Sequence, residues 1–154
     1  MCFRIGRRGW RAGWAGIAIG GLVAMELAAW GEPLVPFSTI GRGALSQVQA
    51  ASWTVARTQE EWIVLWRRHT GTTTAPPFVD FSSQMVVGIF AGRRPSAGYE
   101  IEITEVVSTD RAIRVRYRER SPGATALVAP VLTSPFHIIQ LPRSDLPVDT
   151  MQQQ

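Results

Sequence analysis

Residues 85–92 read MVVGIFAG, a short run that contains only apolar residues and glycine. A run of this kind is typical of a β-strand covered on both faces, because a half-exposed strand would alternate with polar residues. Pro76 and Pro77 precede the run and favour an extended connection into it. The sequence therefore predicts a buried central strand at this position.

A helix is predicted immediately after Thr58. Thr58 and Glu61 have the spacing at which a hydroxyl and a carboxylate satisfy free backbone N–H groups at a helix start. One buried face then repeats every three or four residues, and its members are Trp62, Leu65, Trp66 and His69. Gly71 ends the predicted helix. Because histidine is stabilised at the negative end of a helix, His69 is interpreted as a C-terminal capping residue.

A β-hairpin is predicted on both sides of the turn residues 108–110. Apolar and polar residues alternate before and after this turn, which is the period of a half-exposed strand. Any pairing that keeps both apolar sets on one face places Glu100 and Glu102 opposite arginines of the second strand. Further strands are predicted over residues 48–57 and 136–142. The predicted fold class is therefore α+β, a small and mostly antiparallel sheet with one main amphipathic helix.

The amino-terminal residues have the pattern of an export signal. Four arginines come first, at positions 4, 7, 8 and 11, and an apolar run follows over residues 14–25. A basic stretch, a short apolar run and small residues before a cleavage site are typical of a secretory signal peptide. We predict a signal peptide over residues 1–29, with an uncleaved membrane anchor as the alternative. The first places the domain in the periplasm or the medium, and the second places it outside the cytoplasm on the inner membrane.

The remaining chain is predicted to begin with a flexible spacer. Residues 30–43 contain several glycines and prolines and show little apolar periodicity. One domain is predicted over residues 44–150, since 154 residues have room for a single core. The only cysteine of the sequence is Cys2, so this domain has no cysteine for a disulfide and its stability is expected to come from core packing.

The charge balance argues against a nucleic-acid partner. The sequence has sixteen basic and twelve acidic residues and a net charge of +4, but four of the arginines precede the domain. The arginines between Arg111 and Arg120 could follow a polyanion, but glutamates of the facing strand can neutralise them, and this second interpretation is favoured. Membrane contact is expected only through the amino-terminal segment, if it is uncleaved.

Groups suited to catalysis are few, and no enzymatic activity is predicted. Apart from Cys2, the residues that could activate a nucleophile or bind a metal are His69 and His137. Zinc sites need three or four ligands at close spacings, which the sequence lacks, so neither a metal nor another cofactor is expected. His137 is either a loop-facing polar contact beside Pro135 or a sheet residue whose ring bonds to backbone, and the second interpretation is favoured.

The segment GRRPSAGY at residues 92–99 is the most informative candidate for a binding loop. It joins the predicted central strand to the predicted hairpin, and Arg93 and Arg94 supply two exposed cations. Pro95 stiffens the approach, and Gly98 can adopt the positive φ that a turn into a strand requires. Binding surfaces are commonly built on loops held by a rigid sheet, so this segment is predicted to contact a partner.

Three segments spread over residues 58–148 resemble the PrcB C-terminal domain family. They read TQEEWIVLWRRH, VDFSSQMVVGIFAGRRPSAGYEIEI and RYRERSPGATALVAPVLTSPFHIIQLPRSDLPV. The family is named for an accessory subunit of an extracellular subtilisin-like protease complex. The resemblance therefore implies a role in binding a protein partner rather than in catalysis, and it brings no catalytic residues with it.

The resemblance includes two short motifs in the predicted loops. The usual loop of the family reads Pro-Thr-Gly-Gly-Tyr, which Pro95, Gly98 and Tyr99 match and from which Ser96 and Ala97 depart. A second motif is Ser-Pro-Phe-His at residues 134–137, where the family commonly has Tyr in place of the Phe. The predicted partner-binding residues are Arg93, Arg94, Pro95, Gly98, Tyr99, Pro135 and His137.

Two functions follow from these features. The first is an exported, non-enzymatic binding or accessory domain, associated with an extracytoplasmic protease complex. It would engage a protease or another envelope protein through the loops at residues 95–99 and 122–135. The alternative is a protease inhibitor similar to chagasin, whose Pro-Thr-Thr-Gly-Tyr loop is similar to residues 95–99. An inhibitor abolishes peptidase activity at a stoichiometric ratio, whereas an accessory subunit stabilises its protease or leaves it active.

Overall fold

A computed structural model describes residues 31–154 of the chain. This part contains one helix and seven strands, which in chain order are β1 (Ser38–Gly43), β2 (Ser52–Ala56), α1 (Gln59–Thr70), β3 (Gln84–Phe90), β4 (Glu100–Ser108), β5 (Ile113–Arg120), β6 (Phe136–Pro142) and β7 (Val148–Gln153). The predicted signal peptide at residues 1–29 lies outside the described residues. Within residues 31–154, no helix is long and apolar enough to cross a membrane.

The strands form two sheets. The larger sheet has the order β1-β6-β3-β2 and is antiparallel throughout. The smaller sheet has the order β4-β5-β7, with an antiparallel hairpin β4–β5 and a parallel pair β5–β7. The predicted α+β class is confirmed, and most strand pairs are antiparallel. The prediction of one sheet is corrected to two sheets.

Two clusters of buried side chains separate three layers of structure. The inter-sheet core fills the space between the two sheets, and its members include Met85, Val87, Ile89, Ile101, Ile103, Val115, Ile139 and Leu141. The helix-side core lies between α1 and the larger sheet and includes Trp62, Leu65, Val86, Phe90 and Ile138. Successive residues of β3 thus enter opposite cores. The predicted central strand, covered on both faces, is confirmed.

Helix α1 begins and ends as its sequence predicts. The N–H of Glu61 donates to the hydroxyl of Thr58 at 3.2 Å. The carboxylate of Glu61 accepts from the N–H of Arg57 at 2.6 Å, one residue before the position expected for a reciprocal pair. Gly71 adopts φ +70° at the other end, and its N–H donates to the carbonyl of Arg67. The left-handed φ explains why glycine stands there.

The register of the hairpin β4–β5 also agrees with the sequence. Glu100 lies opposite Arg120 and Glu102 lies opposite Arg118, so acidic residues face basic ones across the strands. A register shift falls between Ile103 and Glu105. One extra residue in β4 at this point lets the buried side chains on both sides of the bulge remain in the inter-sheet core.

The predicted spacer at residues 30–43 is wrong where the structure has strand β1. This strand pairs with β6 along its length, so the sheet begins before the predicted domain start at residue 44. The glycines that suggested flexibility have a packing role. A Cβ atom on Gly41 or Gly43 would lie 3.4 or 3.2 Å from the ring of Phe136, so glycine leaves space for that ring.

The chain before β1 is held as well. The N–H of Val35 donates to the carbonyl of Val106 at 2.8 Å, and the N–H of Ser108 donates to the carbonyl of Pro33 at 2.9 Å. Residues 33–35 therefore run along the outer edge of β4.

The strand predicted over residues 48–57 is shorter than expected, because β2 starts at Ser52. Strand β7 had no counterpart among the predicted elements.

Candidate functional site

The loop between β3 and β4 contains five of the seven predicted binding residues, namely Arg93, Arg94, Pro95, Gly98 and Tyr99. Gly98 has φ +88°, a conformation that side-chain-bearing residues rarely adopt. A Cβ atom at Gly98 would also lie 3.0 Å from the Cβ of Pro122. The predicted positive φ is confirmed, and the close approach shows that this loop packs against the one between β5 and β6.

Four hydrogen bonds join these two loops. Arg94 and Thr133 exchange backbone bonds of 2.7 and 3.0 Å, and the N–H of Ala97 donates to the carbonyl of Ala129 at 3.0 Å. The hydroxyl of Thr133 donates to the carbonyl of Ser96 at 2.9 Å. We refer to residues 93–99 and 121–134 together as the paired-loop surface. Because backbone bonds connect the loops, they form one continuous surface on the sheets.

The two arginines of the first loop have different surroundings. Arg93 is exposed, and its backbone N–H donates to the carbonyl of Gln49. Arg94 is half-buried, lies 2.6 Å from the carboxylate of Glu119, and holds its guanidinium carbon 5.9 Å from the centre of the Tyr99 ring. A cation at this distance from a ring is attracted to it. The prediction of two exposed cations is therefore wrong for Arg94, whose charge orients neighbouring side chains.

Pro135 and His137 do not contribute to the paired-loop surface. Pro135 is fully buried, and His137 is 3% exposed. The ring of His137 lies between the sheets, where its Nδ1 accepts from the N–H of Ile103 at 2.7 Å and its Nε2 lies 2.9 Å from the hydroxyl of Thr39. These two residues are removed from the predicted binding set. The interpretation of His137 as a sheet residue bonded to backbone is confirmed.

The surroundings of His137 keep its imidazole neutral. A backbone N–H can only donate, so Nδ1 must be the unprotonated nitrogen and Nε2 carries the hydrogen that points to Thr39. Burial, the largest cause, and the positive charge of Arg42 together lower the pKa of His137 to about 4, although the negative charge of Glu102 acts in the opposite direction. The imidazole is a structural bridge, and its lone pair is already used.

His69 is also enclosed. Its ring packs 4.1 Å from the ring of Phe136 between centroids, and its Nδ1 lies 3.0 Å from the hydroxyl of Ser46. Burial lowers the pKa of His69 below its usual value. The interpretation of His69 as a helix cap is wrong, because the residue faces the helix-side core and Gly71 provides the cap. A capping residue and a core residue can both stand in the last turn of a helix, and the packing of the ring shows that His69 is a core residue.

The loop at residues 122–135 was expected to engage the partner, but the seven predicted binding residues include none of its most exposed side chains. Large apolar side chains protrude there, and they are Leu127, Val128, Val131 and Leu132, with exposed fractions of 104%, 37%, 49% and 58%. The run ALVAPVL carries no strand alternation and is interrupted by Pro130, which is a signal that could have identified them. A shallow groove of about 260 Å³, lined in part by Leu45, Arg93 and Leu132, adjoins this group.

Within residues 31–154, no group of three His, Cys, Asp or Glu side chains lies close enough together to hold a metal ion. The exposed residues of the paired-loop surface include apolar side chains, the side chain of Arg93 and the hydroxyl-bearing Ser121 and Thr125. Such a set can bury area and donate hydrogen bonds, and it offers no activated nucleophile.

Comparison with known proteins bears on the same segment. Residues 85–142 match the family model described as PrcB C-terminal. The matched residues include β3, β4, β5 and β6 with the loops between them. No curated protein and no solved structure matches the chain. The match covers less than half of the chain and confirms the predicted resemblance over the residues that it includes. The segment that carries the paired-loop surface is thus the segment that matches the PrcB C-terminal family.

Proposed function

We propose that this chain is an exported, non-catalytic accessory domain that binds a protein partner, an extracytoplasmic protease, through the paired-loop surface. The observation that carries the proposal is the group of exposed apolar side chains between Leu127 and Leu132 on a loop bonded to its neighbour. A small domain gains no stability from leucine and valine in solvent, and clustered exposed apolar residues are typical of interaction sites.

The composition of the surface suits a protein partner. Interfaces place apolar side chains at their centre and polar groups at their rim, and arginine is enriched in them. Leu127 and Leu132 supply the apolar part, and the exposed Arg93 lies beside Leu132 at the groove. The hydrogen bonds between the loops reduce the entropy that binding would otherwise cost.

A non-catalytic role agrees with how the histidines are used. The rings of His69 and His137 are buried and hydrogen-bonded, so neither is free to accept a proton from a substrate. The PrcB C-terminal match is consistent with an accessory domain of a protease complex. Export is inferred from the basic and apolar pattern of residues 1–29 alone.

The test is a pull-down from envelope extract with residues 30–154 as bait. The first variant carries Leu127→Asp and Leu132→Asp. The matched control carries Val64→Asp and Phe78→Asp, two exposed apolar residues outside the paired loops. We expect the wild-type bait and the control to retain a protease, identified by mass spectrometry and by peptidase activity, and the loop variant to lose it. Equal retention by both variants, or no protease with any bait, would contradict the proposal.

An activity assay separates the accessory role from inhibition. The accessory role predicts that the retained protease stays active, or becomes more stable, when the chain is added at a stoichiometric ratio. A chagasin-like inhibitor would instead abolish activity at that ratio, through the turn that contains Pro95 and Gly98. A variant with Arg93→Ala and Tyr99→Ala then shows whether that loop takes part.

A further inference from the structure

Two sheets have four outer edges, and three of these carry features that oppose pairing with another strand. Strand β1 has a register shift after Thr39 and contains Arg42, whose side chain reaches Glu102 at 2.8 Å. The edge of β4 is covered by residues 33–35. Strand β7 contains Asp149 in an exposed position. Bulges, charges and covering segments are the usual means by which proteins protect sheet edges.

The outer edge of β2 has none of these features. Its sequence SWTVA contains no charge and no proline, and its register with β3 runs without a shift from Ser52 to Ala56. Within residues 31–154, no strand or isolated bridge pairs with this edge. Trp53 is 47% exposed there and lines a cleft of about 280 Å³ between the sheets, opposite Tyr117. A free edge with a half-exposed tryptophan is a surface on which a strand can add.

We propose that β2 pairs antiparallel with β2 of a second copy of this chain, about a twofold axis at Thr54. In this register Trp53 of each copy lies opposite Val55 of the other copy, which gives two such pairs. The two Thr54 residues lie opposite each other on the axis. Aromatic with β-branched and threonine with threonine are both favourable cross-strand pairs. The strand is thus complementary to itself, as a twofold interface requires.

The absence of charge in β2 also favours a second copy of this chain as the partner of its free edge. An uncharged edge meets its own copy without like-charge repulsion. Arg57 follows β2 directly, but its guanidinium donates to the carbonyls of Ser144 at 3.0 Å and Leu146 at 2.7 Å, which holds it within its own subunit. Since each strand contributes five residues, the pairing forms a reversible dimer that depends on concentration.

Disulfide trapping tests the register. In the full chain with Cys2→Ser, we place a single cysteine by Thr54→Cys, and by Thr73→Cys in the control, because Thr73 is exposed and lies outside the strands. Residues opposite each other on neighbouring strands have Cα atoms about 5 Å apart, which a disulfide can span. Under mild oxidation, we expect Thr54→Cys to give a covalent dimer and Thr73→Cys to stay largely monomeric. Equal trapping of the two variants overturns the proposal.

Sedimentation velocity of the full chain provides the second measurement. Thr54→Arg places two like charges opposite each other on the axis, and we expect it to weaken the dimer by roughly fivefold or more. Thr73→Arg adds the same charge elsewhere and should leave the dimer unchanged. A wild-type chain that sediments as a monomer at all soluble concentrations, or a Thr54→Arg chain as dimeric as the control, contradicts the inference. Neither measurement involves a protease, so the outcome is independent of the proposed function.

Discussion

The backbone N–H of Ile103 in β4 donates to Nδ1 of His137 in β6 at 2.7 Å, so one imidazole joins the two sheets. The bond requires an unprotonated Nδ1. Protonation of the ring would place two N–H groups against each other in a buried space. Stability should therefore depend on pH through this contact.

We predict that the free energy of unfolding decreases as the pH falls from about 6.5 toward 4. An unfolded histidine binds its proton below a pKa of about 6.5, whereas burial lowers the pKa of His137 in the folded chain to about 4. Between these values the unfolded state holds more protons, so each pH unit lost costs about 1.4 kcal/mol for this residue. Urea denaturation at a series of pH values measures the slope.

The variant His137→Asn identifies the residue responsible. It should be less stable at pH 7, and the part of the pH slope due to His137 should disappear. His69 also has a lowered pKa, so a smaller slope of the same sign should remain. If the slope of His137→Asn equals that of the wild type, the pH dependence arises elsewhere.

Gly98→Ala should destabilise the chain by about 1–2 kcal/mol, because φ is +88° and the new methyl group would lie 3.0 Å from the Cβ of Pro122. Gly123→Ala is the matched control. A Cβ atom at Gly123 meets nothing within 4 Å, and this glycine has no positive φ. In thermal denaturation, we expect the first variant to have a lower midpoint temperature than the wild type and the second variant to have nearly the same one. Similar midpoint temperatures for the two variants would show that the paired loops accommodate a methyl group at position 98.

Thr58→Ala should cost about 1 kcal/mol, the usual value for loss of a helix N-cap, because the hydroxyl of Thr58 accepts from the N–H of Glu61. Thr73→Ala removes an exposed hydroxyl in a loop and should change stability by less than about 0.5 kcal/mol. Chemical denaturation of both variants compares them directly. An equal effect would mean that the cap contributes nothing beyond a surface threonine.

A chain that starts at residue 44 should be less stable than one that starts at residue 31, by about 3 kcal/mol or more. The shorter chain loses β1 and its ladder to β6, in which each hydrogen bond contributes roughly 1 kcal/mol. It also leaves Nε2 of His137 without the hydroxyl of Thr39. Circular dichroism during urea denaturation measures the difference. Equal stability would restore the interpretation of residues 30–43 as a spacer.

Sequence patterns predicted the elements that depend on neighbours in the chain. Helix α1 was predicted from its cap and its apolar spacing, and the hairpin β4–β5 from alternation on both sides of one turn. Strand β7 was not predicted, because its sequence VDTMQQ is mostly polar. Its pairing with β5 relies on backbone hydrogen bonds, which any sequence can make. The second sheet followed from long-range packing that no local pattern records.

The binding residues show the same limit. Alternation in β6 places His137 and Ile138 on opposite faces, but it cannot reveal that both faces are covered. His137 therefore entered the predicted set although a second sheet lies over it. The residues of the first loop were found because glycine and proline mark turns. The second loop was expected to engage the partner, but Leu127 and its neighbours were not named, because their exposure depends on a loop path that composition does not determine.

The pairing of β1 with β6 has a consequence for the time at which the larger sheet can close. Thr39 and His137 are in contact although 98 positions separate them in the chain. During synthesis β1 has no partner until β6 has emerged, and contacts between such distant segments form slowly. The larger sheet therefore cannot close while the residues between these two strands are still being added.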